Sequence, residues 1–207
     1  MLVGFYLALN TSCAQKTLGV FASAADVGPV VHKGETSYDN KSMKYRLSGA
    51  GANIWFKKDE FHYAYNKLSG DFILKTRAKL IGEGVDPHRK LGWMARSSLD
   101  TSATMISATV HGDGMTAIQF RKVAGENIEE VKSLVVMPEF IQLERRGRSF
   151  FMTIIADDEP AWSVEIPDFD FPETMYAGLF ICSHNPDVVE RADFWDVEVI
   201  GEKANTQ

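Results

Sequence analysis

The residues best suited to chemistry gather between Asp86 and Arg121. Alternation with period two over Ile106, Ala108 and Val110 turns Ser107, Thr109 and His111 to the opposite side, and the next segment sets Ile118 and Phe120 against Ala117, Gln119 and Arg121. If Trp93 and Ala95 face a core, Arg96 joins His111, Gln119 and Arg121 on one polar face, with Asp86, His88, Arg89 and Asp113 in the flanking loops. Together these side chains supply forked donors, amide and carboxylate acceptors, and an imidazole that titrates near neutrality. A saccharide, with its rim of hydroxyls, needs such groups beside an aromatic platform. Asp86, His88, Arg89, Arg96, His111, Asp113, Gln119 and Arg121 are therefore the candidate ligand-binding set, and Arg121 is expected to be solvent-facing, so that its loss costs binding and not stability.

No catalytic residue is assigned. Glycosidic cleavage calls for two carboxylates flanking the bond. The acidic clusters Glu129-Glu130, Asp157 to Glu159 and Asp168 to Glu173 fall at turns or in a proline-bounded loop, where solvated acids are ordinary. The five histidines show no closely spaced ligand pair, and turn formation accounts for Gly112-Asp113-Gly114 and His184 to Asp187, so no metal is expected. The glycine-rich passage from Ser48 to Trp55 lacks the spacing of either nucleotide motif, and no cofactor is expected.

The elements that would position these residues are strands. Phe61 to Tyr65 and Asp71 to Leu80 alternate, and Phe140 to Arg145 and Ser149 to Ala156 flank a turn at Arg146-Gly147-Arg148. Met175 to Ser183 and Ala192 to Ile200 read as the last strands. No amphipathic helix, heptad run or fixed repeat interrupts the series, so many strands share one core, and two packed antiparallel sheets are the expected architecture. A chain of 207 residues with 45% hydrophobic residues suits one such all-β domain, placed at residues 21–200 with a tail at 201–207.

The formal charge of −6 and the lack of a basic stripe argue against nucleic acid. The apolar run from Leu2 to Leu9, followed by small residues before Gln15, has the order of a signal peptide over residues 1–14 with a short leader at 15–20, which implies a secreted or periplasmic protein. A lipoprotein anchored through Cys13 is the alternative. No later segment approaches the roughly 20 apolar residues of a membrane span. Cys182, among apolar neighbours, reads as a buried small hydrophobe.

The series Asp26-Val27-Gly28, Tyr38-Asp39, Leu47 to Gly51, Asn53-Ile54-Trp55, Asp59, Phe61-His62, Leu68, Gly70-Asp71-Phe72, Asp86-Pro87, Gly92-Trp93-Met94 and Arg96 resembles a bacterial family of concanavalin A-like jelly-roll domains. Members occur in secreted or periplasmic proteins, some beside TolB- or TolR-like envelope proteins and others attached to carbohydrate-active modules. The resemblance implies a two-sheet jelly roll with a curved polar face of the kind sugar-binding relatives use. It carries no established catalytic set, and the acidic triplet of laminarinase-like relatives is absent. Three functions follow as expectations. The first is a non-catalytic carbohydrate-binding module for an oligo- or polysaccharide, the second a glycan-cleaving enzyme using loop carboxylates or histidines, and the third an envelope protein–protein interaction module.

Overall fold

In the computed structural model, which describes residues 18–138, 140–156 and 159–204, the alternating segments form thirteen strands. They are β1 (Ser23–Val27), β2 (Glu35–Asp39), β3 (Lys44–Gly49), β4 (Phe61–Leu80), β5 (Lys90–Arg96), β6 (Met105–His111), β7 (Thr116–Arg121), β8 (Glu129–Lys132), β9 (Phe140–Arg146), β10 (Ser149–Ala156), β11 (Glu159–Ile166), β12 (Thr174–Cys182) and β13 (Glu190–Lys203). The expected signal peptide and most of the leader lie outside the described residues. No helix among the described residues is long and apolar enough to cross a membrane.

Every pairing is antiparallel, and β4 explains how the strands divide. Phe61 to Tyr65 pair with β1 and His62 to Ser69 with β12, whereas Phe72 to Thr76 pair with β9 and Phe72 to Leu80 with β13, whose last residues, Glu202 and Lys203, reach Ser69 and Leu68. Between the halves stands Gly70, at φ 68°, a left-handed conformation that a residue without Cβ adopts at no steric cost. The two segments read separately from the sequence are thus one 20-residue strand bent from one sheet into the other. The first sheet runs β1-β4-β12-β5-β6-β7-β8, and the second runs β2-β3-β13-β4-β9-β10-β11. Strand β11 has no counterpart in the sequence reading. Trp162 and Val164 pack on the core beside Ile166, but the neighbouring Pro160 and the short run hid their alternation.

Between the sheets lies the core that the alternation requires. Trp93, Ala95, Ile106, Ala108, Ile118 and Leu179 of the first sheet meet Leu47, Leu74, Leu143, Phe150, Met152 and Phe194 of the second. Each such large side chain contributes roughly 1.5–3 kcal/mol on burial.

The outer face of the first sheet departs from the expected pattern. Strands β5 and β7 are buried along their whole length and β6 nearly so, polar positions included. A second apolar cluster explains this: Phe61, Tyr63, Met94, Met105, Phe180 and Cys182 on the outer face pack with Ile54 and Ile128 from connecting segments. The connections at residues 50–60, 97–104 and 122–128 are tied to one another by Asp59 N–H to Thr101 O at 2.9 Å, Gly125 N–H to Ser102 O at 2.9 Å and Ile128 N–H to Trp55 O at 2.9 Å.

Candidate functional site

The register confirms the geometry behind the candidate set, but burial divides it. Arg96 and Arg121 both oppose Met105, and Gln119 opposes Ser107, which opposes Met94, so these side chains share the outer face with Lys90 and His111. At one end of that face Arg96 and Arg121 are fully buried on either side of Asp59, itself fully buried. Arg121 donates from Nη2 to Asp59 Oδ1 at 2.7 Å and from Nη1 to Oδ2 at 2.9 Å, and Arg96 Nη1 donates to Oδ2 at 3.3 Å. Their other N–H groups cap backbone carbonyls of the connecting segments: Ser98 and Asp100 for Arg96, and Phe56, Ala103 and Glu126 for Arg121. Arg96 also lies over the Phe61 ring at 5.1 Å. The expectation that Arg121 faces solvent does not hold. Both arginines clamp the connections onto the sheet and, with no exposed side-chain surface, are closed to a ligand.

Arg89 is likewise buried, and it is structural. Its Nη1 donates to Glu190 Oε2 at 2.6 Å, and its guanidinium also donates to the Ile81 and Gly82 carbonyls, joining the β4–β5 connection to β13. Asp113 shapes its own turn by accepting from Met115 N–H at 2.9 Å. Neither it nor Arg89 lines the cleft described next.

At the other end of the outer face a cleft of about 430 Å³ remains open. Its floor is Lys90, His111 and Gln119, its wall on one side is Trp55 and Phe56, and His88, His184, Glu130 and Lys132 surround it. The His88 ring lies 5.8 Å from His111 and 5.4 Å from His184, centroid to centroid. His184 Nδ1 stands 3.2 Å from Asp86 Oδ2, within ion-pair reach but off the axis of a hydrogen bond. Asp86 thus holds the rim while lying outside the lining, and it accepts from His88 N–H at 2.7 Å. The carboxyl of Asp86 is held below its usual range by these contacts, against the opposing effect of partial burial. No group of three or more metal-ligating side chains with suitable geometry occurs among the described residues.

The floor carries unmet hydrogen-bonding capacity. Gln119 Nε2 donates to Glu130 Oε2 at 2.7 Å, and its second hydrogen faces His111 Nε2 at 3.3 Å. That nitrogen is then the acceptor, so the His111 proton resides on Nδ1. Both His111 Nδ1 and Gln119 Oε1 are buried without a partner, an arrangement that costs free energy unless a further group completes it. Burial, reinforced by the positive charge of Lys90 and the cationic forms of His88, His184 and Lys132, pushes His111 down to about 3, so the ring is neutral at ordinary pH. Burial also lowers Lys90 from its usual value.

Sequence reading missed Asp59, Lys90, Glu130, Trp55, Phe56 and His184. Lys90 was within reach, because it shares parity with Gly92, Met94 and Arg96 on β5. The others come from loops and neighbouring strands that only the fold brings together.

No family model matches the chain, and no curated protein matches it, so the likeness to the bacterial envelope family rests on the residues quoted above. Solved structures do match in shape. A functionally unknown protein from Saccharomyces cerevisiae aligns with a TM-score of 0.63 at 11% identity, over 82% of this chain and 93% of that one. A family 7 alginate lyase, A1-II′, determined in complex with substrate, aligns at 0.54 and 9% identity over 83% of each chain. Lectin II from Ulex europaeus aligns at 0.50 and 9% identity, over 87% of this chain and 98% of that one. The fold is a concanavalin A-like jelly roll. At these identities the likeness establishes the fold alone.

Proposed function

We propose that this protein is an exported, non-catalytic carbohydrate-binding module whose ligand occupies the cleft over Lys90, His111 and Gln119. The observation that carries the reading is the buried pair of unmet groups on the cleft floor, the donor His111 Nδ1–H and the acceptor Gln119 Oε1. A hydroxyl both donates and accepts, so sugar hydroxyls are the kind of partner that both groups lack. Trp55 and the largely exposed Phe56 supply the apolar wall against which a pyranose face packs, and the cleft volume falls in the range of about 300–1,000 Å³ usual for small-ligand sites. The fold neighbours include a galactose-complexed lectin, UEA-II, which supports a saccharide as the class of ligand.

Binding is favoured over cleavage on chemical grounds. The cleft lining holds a single carboxylate among the described residues, Glu130, already engaged by Gln119 at 2.7 Å and Lys132 at 3.6 Å, whereas glycosidases use a pair. A histidine held at about 3 is a poor general base at neutral pH, where an effective base titrates near the working pH. Calorimetry against an oligosaccharide panel, paired with assays for new reducing ends and for unsaturated products, tests the reading. Saccharide binding without turnover is expected, and His111→Ala or Gln119→Ala should weaken it roughly 2- to 12-fold, the worth of one hydrogen bond. Turnover abolished by Glu130→Gln would establish the glycan-cleaving alternative instead.

A further inference from the structure

Lys90 presents a problem that the hydroxyl-binding floor does not solve. It is 1% exposed, yet its ammonium has no ion-pair partner among the described residues, and its side chain's one hydrogen bond there is a long one, to Asn53 Oδ1 at 3.5 Å. Lysines are almost never fully buried unless paired, because a desolvated ammonium without a counter-ion is strongly disfavoured. The surrounding carboxylates are committed elsewhere: Asp59 to Arg96 and Arg121, Glu130 to Gln119 and Lys132, and Asp86 to the His88 N–H and the His184 ring. Cys182, directly opposite on β12, cannot serve as the anion, since burial pushes its thiol up to about 11. Lys132 stands at the same cleft with His88 and His184 at its rim, and Glu130 is the one carboxylate in the lining among the described residues, in a chain whose formal charge is −6. The surface at large is acidic and this cleft is locally basic.

We propose that the cleft recognises an acidic saccharide, one bearing a uronic acid, whose carboxylate takes Lys90 as its counter-ion while its hydroxyls lie toward His111 and Gln119. The proposal rests on the saccharide reading above and names the class of sugar. The carboxylate completes a buried charge that no described carboxylate answers, and the histidine rim shields the pair from water, where an ammonium–carboxylate contact is worth most.

Calorimetry on the full chain with tetragalacturonate and tetramannuronate, each beside its carboxyl-reduced neutral counterpart, tests this directly. The uronides are expected to bind roughly 10- to 100-fold tighter than the reduced forms, the range for a charge-assisted hydrogen bond. Lys90→Met, which keeps the length of the side chain and removes the charge, should abolish the difference between the acidic and reduced forms. A measurement free of any variant is the salt dependence of the wild-type protein: uronide affinity should fall with added salt and neutral affinity should not. Equal affinity for acidic and reduced forms overturns the proposal and leaves the saccharide reading standing. Binding of neither form overturns both.

Discussion

Replacing Asp59 by Asn probes the clamp that decides which half of the polar face is open. The substitution keeps the shape of the side chain but removes the only carboxylate between the buried guanidiniums of Arg96 and Arg121. Breaking a buried ion pair by removing one partner typically costs about 3–5 kcal/mol, since the remaining charge is left uncompensated. Here two cations lose their counter-ion, which argues for the upper part of that range. The five carbonyls that accept from the arginines soften the loss, which returns the expectation to about 3–5 kcal/mol. For a domain of this size each kcal/mol lowers Tm by roughly 2–4 °C, so a fall of roughly 6–20 °C follows. Urea unfolding gives the free energy and scanning calorimetry the midpoint. Native-state hydrogen exchange should show faster exchange at the 59 N–H, Gly125 N–H and Ile128 N–H, the bonds that tie the connections together. A variant within 1 kcal/mol of the wild type, with unchanged exchange at those amides, would refute the idea that Asp59 holds the cover in place.

Acid should weaken the fold through His111. Its folded-state value of about 3 lies below the ordinary 6.5, so the unfolded chain binds more protons between those values and stability falls as pH drops from about 6.5 toward 3. From pH 7 to pH 5 the loss attributable to this ring is about 2 kcal/mol, and His111→Gln should flatten the pH dependence of urea stability by that amount; an unchanged slope would remove His111 as its source. Gly92→Ala should destabilise by about 1–3 kcal/mol or more, because an added Cβ would sit 1.9 Å from the Ala108 carbonyl oxygen at φ 153°, and equilibrium unfolding that matches the wild type would contradict that crowding.

The sheet framework was legible because alternation survives wherever one side of a strand faces the core. Ile106, Ala108, Val110, Ile118 and Phe120 all pack where their parity placed them, and that same parity put Arg96, His111, Gln119 and Arg121 together on the other side. Alternation says nothing about what lies above a face. Polar residues there read as a solvent surface, whereas Ile54, Asp59 and Ile128, from segments with no periodicity to read, cover one end of it. The bend in β4 was hidden for a related reason: Gly70 and Asp71 resemble a turn between two strands, and only the change of pairing partner shows one continuous strand.

The division of the face follows from where carboxylates are available. Arginine at positions 96 and 121 would be as costly to bury as lysine at 90, and the chain meets that cost at one end by bringing Asp59 down between the two guanidiniums. Arg121 also donates from Nη2 to the Phe56 carbonyl, so the ion cluster sets where Phe56, a wall of the open cleft, must stand. At the other end no described residue plays the part of Asp59 for Lys90, and His111 Nδ1 and Gln119 Oε1 stay unmet on the same floor. A sealed end with every charge answered and an open end with one charge unanswered are the complementary requirements of a binding site. On the proposed reading the first holds Phe56 of the aromatic wall in place, and the second leaves the sheet floor for a ligand to complete.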